Sequence, residues 1–165
     1  MATGQAGRDG LRVVAVGPRE AGRLVAVVER FHGESGHEVG PAQTAAVHAL
    51  CADPSQGRAW LLWDGRGRDA GYAVAYWRHS IDHGGRVAVL DDLWIDAALR
   101  GRGLGRRLMD AVLGDMSACG ARTVVVEADP ADAPAVSFYA RLGFAPKGTT
   151  LLARALPVRP DASRP

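Results

Sequence analysis

Apolar residues fall along this chain either in short continuous runs or at helical spacing. The run LRVVAV (11–16) is short and rich in β-branched residues, which predicts a strand. Behind Pro18, the apolar positions Leu24, Val25, Val28 and Phe31 fall at helical spacing and predict a first helix, ended by the linker GESGHEVG (33–40). A second helix is predicted from Pro41 through Ala45, Val47, His48 and Leu50, stopping near Asp53-Pro54. The runs AWLLWD (59–64) and GYAVAYWRH (71–79) flank the turn-forming DGRGRDA and predict a hairpin, and VAVLDDLWI (87–95) adds a third strand after the turn DHGG.

Helical periodicity returns at Leu104, Leu108, Met109, Val112, Leu113 and Met116, and Gly120 closes that helix. RTVVVEA (122–128) is a run of the kind found in buried strands, broken by Asp129-Pro130. PAVSFYARLGF (134–144) predicts a helix begun by proline and ended by Gly143, and TTLLARAL (149–156) predicts a last strand returning to the sheet. No internal repeat interrupts this order. The expected class is α/β (α+β), with a mixed, mostly antiparallel central sheet and helices on both faces.

At 165 residues the chain fits one domain, expected over residues 11–156 between a disordered N-terminus (1–10) and a disordered tail (157–165). Hydrophobic residues at 47% and charged residues at 23% describe a soluble globular protein, and a net charge of +2 gives no reason to expect nucleic acid or an anionic membrane as partner. The two cysteines, Cys51 and Cys119, lie far apart in apolar segments and read as reduced core residues. With no apolar signal region and no membrane-spanning run, the expected location is cytoplasmic.

One stretch resists a purely structural explanation. RGRGLG (100–105) places three glycines on alternate positions, among arginines, between the strand ending at Ile95 and the helix starting near Leu104. Glycine in a helix costs roughly 1 kcal/mol against alanine. At a helix N-terminus it lets an anion touch backbone N–H groups, and Arg100, Arg102 and Arg106 add positive charge beside that point. The segment lacks the lysine of a P-loop, and Arg106 stands where a dinucleotide fingerprint needs its last glycine.

The segment Arg100-x-x-Gly103-x-Gly105 resembles the pyrophosphate loop R/Q-x-x-G-x-G/A of the GNAT superfamily of acyl-coenzyme A dependent N-acetyltransferases. LDDLWIDAALRGRGLG resembles the strand and loop of that family, and ADPADAPAVSFYARLGF resembles its N-x-x-N-x-x-A-x-x-FY-x-x-x-GF segment; the usual asparagine is Asp129 here. The similarity spans residues 58–156. It implies that the strands at 87–95 and 122–128 splay apart to admit the pantetheine arm, and that acetyl-CoA is a co-substrate, with no metal required. The resemblance also implies that backbone groups at Leu93, Trp94 and Ile95 polarise the thioester. Around the coenzyme it places Arg100, Gly101, Arg102, Gly103, Leu104, Gly105, Arg106, Asp129, Ala135, Phe138 and Tyr139.

Acetyl transfer to an amine needs a proton acceptor and a proton donor. Asp91 and Asp92 are the candidate acceptors; in an unbroken strand they point to opposite faces, and Asp92 is preferred. Tyr139 aligns with the tyrosine that protonates the coenzyme thiolate in the family. His79 and His83 form H-x-x-x-H in a turn with no third ligand, which argues against zinc. They are candidates either for the amine pocket or for solvated surface, as are Trp77, His32, Glu34 and Glu38. The expected reaction is acetylation of a primary amine of a small molecule in a ternary complex, by a protein expected to form a homodimer. The alternatives are an aminoglycoside, supported by Asp129 and DAPAVSFY, a protein or peptide amine, or a non-catalytic coenzyme A binding module.

Overall fold

The computed structural model describes residues 10–34, 36–64 and 67–156. The expected disordered ends lie outside them, apart from Gly10. Two compact units are present, one running to Asp129 and one from Pro130 onward.

The first unit is a five-stranded sheet in the order β1-β2-β3-β4-β5, formed by β1 (Arg12–Ala15), β2 (Gly57–Trp63), β3 (Asp69–Ser80), β4 (Gly85–Ile95) and β5 (Thr123–Val126). All neighbours are antiparallel except β4 and β5, which run parallel. Helix α1 (Ala21–Glu34) and helix α2 (Pro41–Ala52) cover one face, where Leu24, Val27, Val28 and Cys51 pack against Ala59, Leu61, Tyr72 and Trp94. Pro18 sits in a turn three residues ahead of α1 rather than at its first position, and α1 runs through Gly33.

Helix α3 (Leu104–Ala118) covers the opposite face with the buried stripe Leu104, Leu108, Met109, Val112 and Met116. Strand alternation turns Arg58 and Trp60 to this side. There Asp115 accepts from Arg58 Nη1 at 3.2 Å and from Trp60 Nε1 at 3.1 Å. The architecture is thus the expected mixed, mostly antiparallel sheet with helices on both faces.

In the second unit, helix α4 (Ala133–Arg141) is capped by Asp132, whose carboxylate accepts from the Ala135 N–H at 3.0 Å, and it ends ahead of Gly143 at φ 88°. TTLLARAL forms no strand. Leu151, Leu152 and Leu156 are exposed. Its leucines at 151 and 152 are adjacent, so the run has no single apolar face to lay on a sheet, and β-propensity without that alternation does not make a strand.

Strand β4 departs from regular pairing on both of its edges. Its register with β3 shifts by one residue, pairing Val74 with Asp92 but Ala75 with Leu90, so Asp91 is the extra residue of a β-bulge. Its pairing with β5 covers only Val87–Leu90 against Thr123–Val126. Beyond that ladder β4 continues to Ile95, held on its other side by β3 as far as Gly71. A Cβ on Gly71 would run into the Trp94 carbonyl oxygen and the Ile95 side chain. Gly71→Ala is therefore expected to lower the unfolding free energy by about 1–3 kcal/mol. Urea unfolding checks this, and an unchanged midpoint would show that the two strands are not so close.

Candidate active site

The sheet loses its fifth strand at the point where the candidate chemistry begins. Past Leu90 and Val126 the parallel ladder ends, and Asp91, Asp92, Leu93, Trp94 and Ile95 continue without β5 alongside. The resemblance implies that 87–95 and 122–128 splay apart, and it is at this point that their pairing stops.

Downstream of Ile95, Asp96 accepts from the Ala98 N–H at 3.0 Å and opens a short 3-10 turn over Ala97–Leu99. The glycine loop comes next. Gly101 and Gly103 both have φ of 76°, a left-handed conformation that suits glycine, and a Cβ at either would project into open space. Gly103 is the N-cap of α3 and supplies no side-chain cap, which leaves N–H groups of the first turn to a ligand or water. Gly101, Arg102, Gly103 and Arg106 are exposed, Gly105 is half-buried and Leu104 is buried, anchoring the helix start. An open backbone cradle at the N-terminus of a 15-residue helix fits a phosphate group, so the residues suit a coenzyme pyrophosphate.

The arginines differ in what they do. Arg106 makes a long exposed pair of 3.8 Å with Asp110, an arrangement worth little. Arg100 is folded back: its Nε donates to the Ile95 carbonyl at 2.9 Å and its Nη2 to Glu34 Oε2 at 3.1 Å. The same Glu34 oxygen accepts from the Trp94 indole N–H at 3.1 Å. Glu34 is thus the last residue of α1, tying that helix to β4 and to the glycine loop, rather than a residue of the linker after it.

The two aspartates stand in different environments. Asp91 is exposed, whereas Asp92 is half-buried on the face toward α1 and accepts from the Tyr72 hydroxyl at 3.1 Å. Burial, then the neighbouring Asp91 charge, push the Asp92 carboxyl above the usual carboxylate range, while the Tyr72 hydrogen bond and His32 oppose the rise. Tyr72 itself is pushed far up by burial and by Asp92, so it remains a neutral donor. Because Asp91 occupies the bulge, simple alternation does not separate the pair: its charge also raises Tyr72 and Tyr76, both on the α1 face.

Other predicted residues have structural partners. Trp77 donates to the Pro54 carbonyl at 3.1 Å and lies under Arg86 at 4.5 Å, joining β3 to the α2–β2 turn. His83 Nδ1 meets Ser80 Oγ at 2.9 Å within the β3–β4 hairpin, and His79 is exposed. Among the described residues no group of three or more His, Cys, Asp or Glu could hold a metal ion. His32 stacks edge-on to Phe31 and lies 6.3 Å from the His37 ring, and Glu38 is exposed. Asp129 is exposed just after β5. In the second unit, Ala135 receives the cap of α4, and Tyr139 packs edge-on against Phe138 at 5.2 Å and Phe144 at 5.5 Å.

A strand that outlasts its parallel neighbour and leads into a glycine loop and a helix N-terminus suits the binding of an acyl-coenzyme A. A sequence model of the Acetyltransferase (GNAT) family matches residues 24–144, and the chain belongs to that family. Over 79 residues it is 36% identical to glucosamine 6-phosphate N-acetyltransferase 1 of Oryza sativa subsp. japonica, a match covering 48% of this chain and 46% of that protein. The chain thus spans less than half the length of the curated relatives it matches. Among solved structures, the integron cassette protein HFX_CASS3 from the mobile metagenome of Cole Harbour Salt Marsh aligns with a TM-score of 0.79 at 29% identity, covering 89% of this chain and 91% of that one. The aminoglycoside N-acetyltransferase AAC(6')-Iy, solved in complex with CoA, shares the fold with a TM-score of 0.74 at 18% identity, covering 88% and 94%. No helix among the described residues is long and apolar enough to cross a membrane.

Gly103→Val would strain a left-handed position by roughly 1–2 kcal/mol and fill the open mouth of the loop. The folded variant is expected to lose coenzyme A binding in calorimetric titration. Wild-type affinity would remove the loop from the coenzyme site.

Proposed function

We propose that this protein is an acetyl-CoA dependent N-acetyltransferase that acylates a primary amine of a small molecule, with an amino sugar as the leading acceptor class. The observation that carries the reading is the coincidence, on one stretch of β4, of an open backbone edge with a half-buried carboxylate of raised proton affinity, shortly before the glycine loop. Family membership supports the reaction type. The acceptor class is supported by the glucosamine 6-phosphate acetyltransferase relative and by the aminoglycoside acetyltransferase sharing the fold.

Bound coenzyme supplies an activated acetyl thioester; this chain does the rest. The loop at Gly101, Gly103 and Gly105 and the α3 N-terminus hold the pyrophosphate, with Arg102 and Arg106 beside it and Leu104 anchoring the turn. Backbone N–H groups between Leu93 and Ile95 donate to the thioester carbonyl oxygen, where negative charge develops as the amine nitrogen bonds to the carbonyl carbon. An alkyl ammonium has a pKa near 10, so it reaches the site charged. Asp92, directly or through one water, takes its proton and frees the lone pair. As the C–S bond breaks, Tyr139 gives its hydroxyl proton to the departing sulfur and is reprotonated from solvent, while the second amine proton leaves the new amide nitrogen to solvent and Asp92 releases the first. Ammonium and thioester become amide, thiol and one proton released to solvent. Asp129, Ala135 and Phe138 complete the coenzyme contacts in this reading, which also takes the enzyme to be a cytoplasmic homodimer with Cys51 and Cys119 reduced.

Release of free thiol from acetyl-CoA, monitored across glucosamine, glucosamine 6-phosphate, an aminoglycoside and a peptide N-terminus, tests the reaction and the acceptor together. Acceptor-dependent release with an amino sugar is expected, and Tyr139→Phe should lower the turnover on the order of 10² or more with coenzyme affinity kept. Tight coenzyme binding without release for any amine would leave a non-catalytic binding module.

A further inference from the structure

We propose that Tyr72 is a positioning residue that aims and sustains the Asp92 carboxylate as proton acceptor, and that Asp91 is its electrostatic counterweight rather than a second base. This rests on Asp92 being the base of the proposed reaction.

Geometry carries the assignment. Tyr72 is fully buried on β3, and its ring is wedged between Phe31 on α1 at 6.0 Å and Trp94 on β4 at 6.3 Å. A ring held on both sides cannot swing its hydroxyl elsewhere, and the 3.1 Å bond to Asp92 Oδ2 is directed by core packing. The bulge does the rest: with Asp91 as the extra residue of β4, Asp92 falls into register opposite Val74 and shares the face of Tyr72. Without the bulge Asp92 would move to the other face of the sheet.

Among the described residues, three groups act on Asp92 with opposing signs. Asp91, on its own strand and exposed to water, disfavours the charged form. The Tyr72 hydroxyl, from β3, donates to the carboxylate and favours it, as does His32 from α1. Farther out stand Tyr76, which feels Asp91 and Glu127, His37 beside His32, and Glu34, committed to Trp94 and Arg100. The result is a half-buried carboxylate with raised proton affinity and a fixed donor, set beside an exposed carboxylate in water, two neighbours given different roles by their surroundings.

Tyr72 and Asp91 should therefore shift Asp92 in opposite directions. Tyr72→Phe keeps the ring and removes the donor, so Asp92 should titrate at higher pH, and the acidic limb of kcat/KM should move up with it. At a fixed pH on that limb the loss should be about tenfold, recovered on raising the pH. Asp91→Asn removes the like charge, so Asp92 should titrate at lower pH and the limb should move down.

Carboxyl-carbon NMR titration of the coenzyme-free protein, with the Asp92 signal identified by its loss in Asp92→Asn, reads the shifts without relying on turnover. Opposite shifts in the two variants are expected. An unmoved Asp92 titration in folded Tyr72→Phe, or a shift of the same sign in both, would overturn the proposal; should Tyr72→Phe not fold, an unmoved titration in Asp91→Asn overturns it alone. Opposite NMR shifts that the rate profile does not track would uphold the electrostatic arrangement but overturn Asp92 as the base, and with it the catalytic role given to Tyr72.

Discussion

The candidate site depends on β4 outlasting β5. Four residue pairs hold the two parallel strands together, and then β5 gives way at Glu127-Ala-Asp-Pro. Proline has no N–H for a ladder and pushes the residue before it away from regular pairing geometry, so Pro130 keeps the strand from recovering. β4 remains extended as far as Ile95 because β3 pairs with it up to Gly71, where glycine allows the two backbones to approach. One edge of β4 is thereby left open to a ligand while the other stays fastened. An open edge is ordinarily a liability in a sheet; here it is short and leads straight into the glycine loop.

The bulge falls where the fifth strand is lost, and this brings electrostatics and geometry together. A bulge bends its strand and re-aims side chains. It delivers Asp92 to the aromatic cluster of Phe31, Tyr72 and Trp94 and leaves Asp91 in solvent. Trp94 continues the connection through Glu34 to Arg100, whose second bond holds the Ile95 carbonyl. An exposed ion pair contributes little on its own. Combined with an indole and a main-chain carbonyl, it links the end of α1 to the first residue of the glycine loop.

Much of this was legible in the residues. Continuous apolar runs and helical spacing, with turn, proline and glycine signals between them, located the strands and helices of the sheet unit, because the middle strands are covered on both faces and each helix buries one stripe. The glycines of 101–105 stood out because three of them on alternate positions, among arginines, run into a helix start, where glycine lets an anion reach the backbone N–H groups. TTLLARAL misled, since β-forming composition without alternation carries no information about which face would be buried. The bulge was invisible: it is a mismatch between two strands, and nothing in DDLW marks which residue is left over. For the same reason nothing in GYAVAYW sets Tyr72 apart from its apolar neighbours. Its role comes from standing across the sheet from a residue twenty positions away. Glu34 was noticed as a pocket residue, but its partners lie 60 and 66 residues downstream and no local pattern points to them.

The central claim is that the open edge of β4 and the glycine loop together form one coenzyme site. Residue-resolved amide hydrogen exchange, with and without acetyl-CoA, tests it most directly. The account predicts slowed exchange confined to amides within Leu93–Ile95 and Gly101–Gly105 and the first turn of α3, with β1 and β2 unchanged. Protection of the loop with no change along Leu93–Ile95, or protection centred on another part of the sheet, would contradict it.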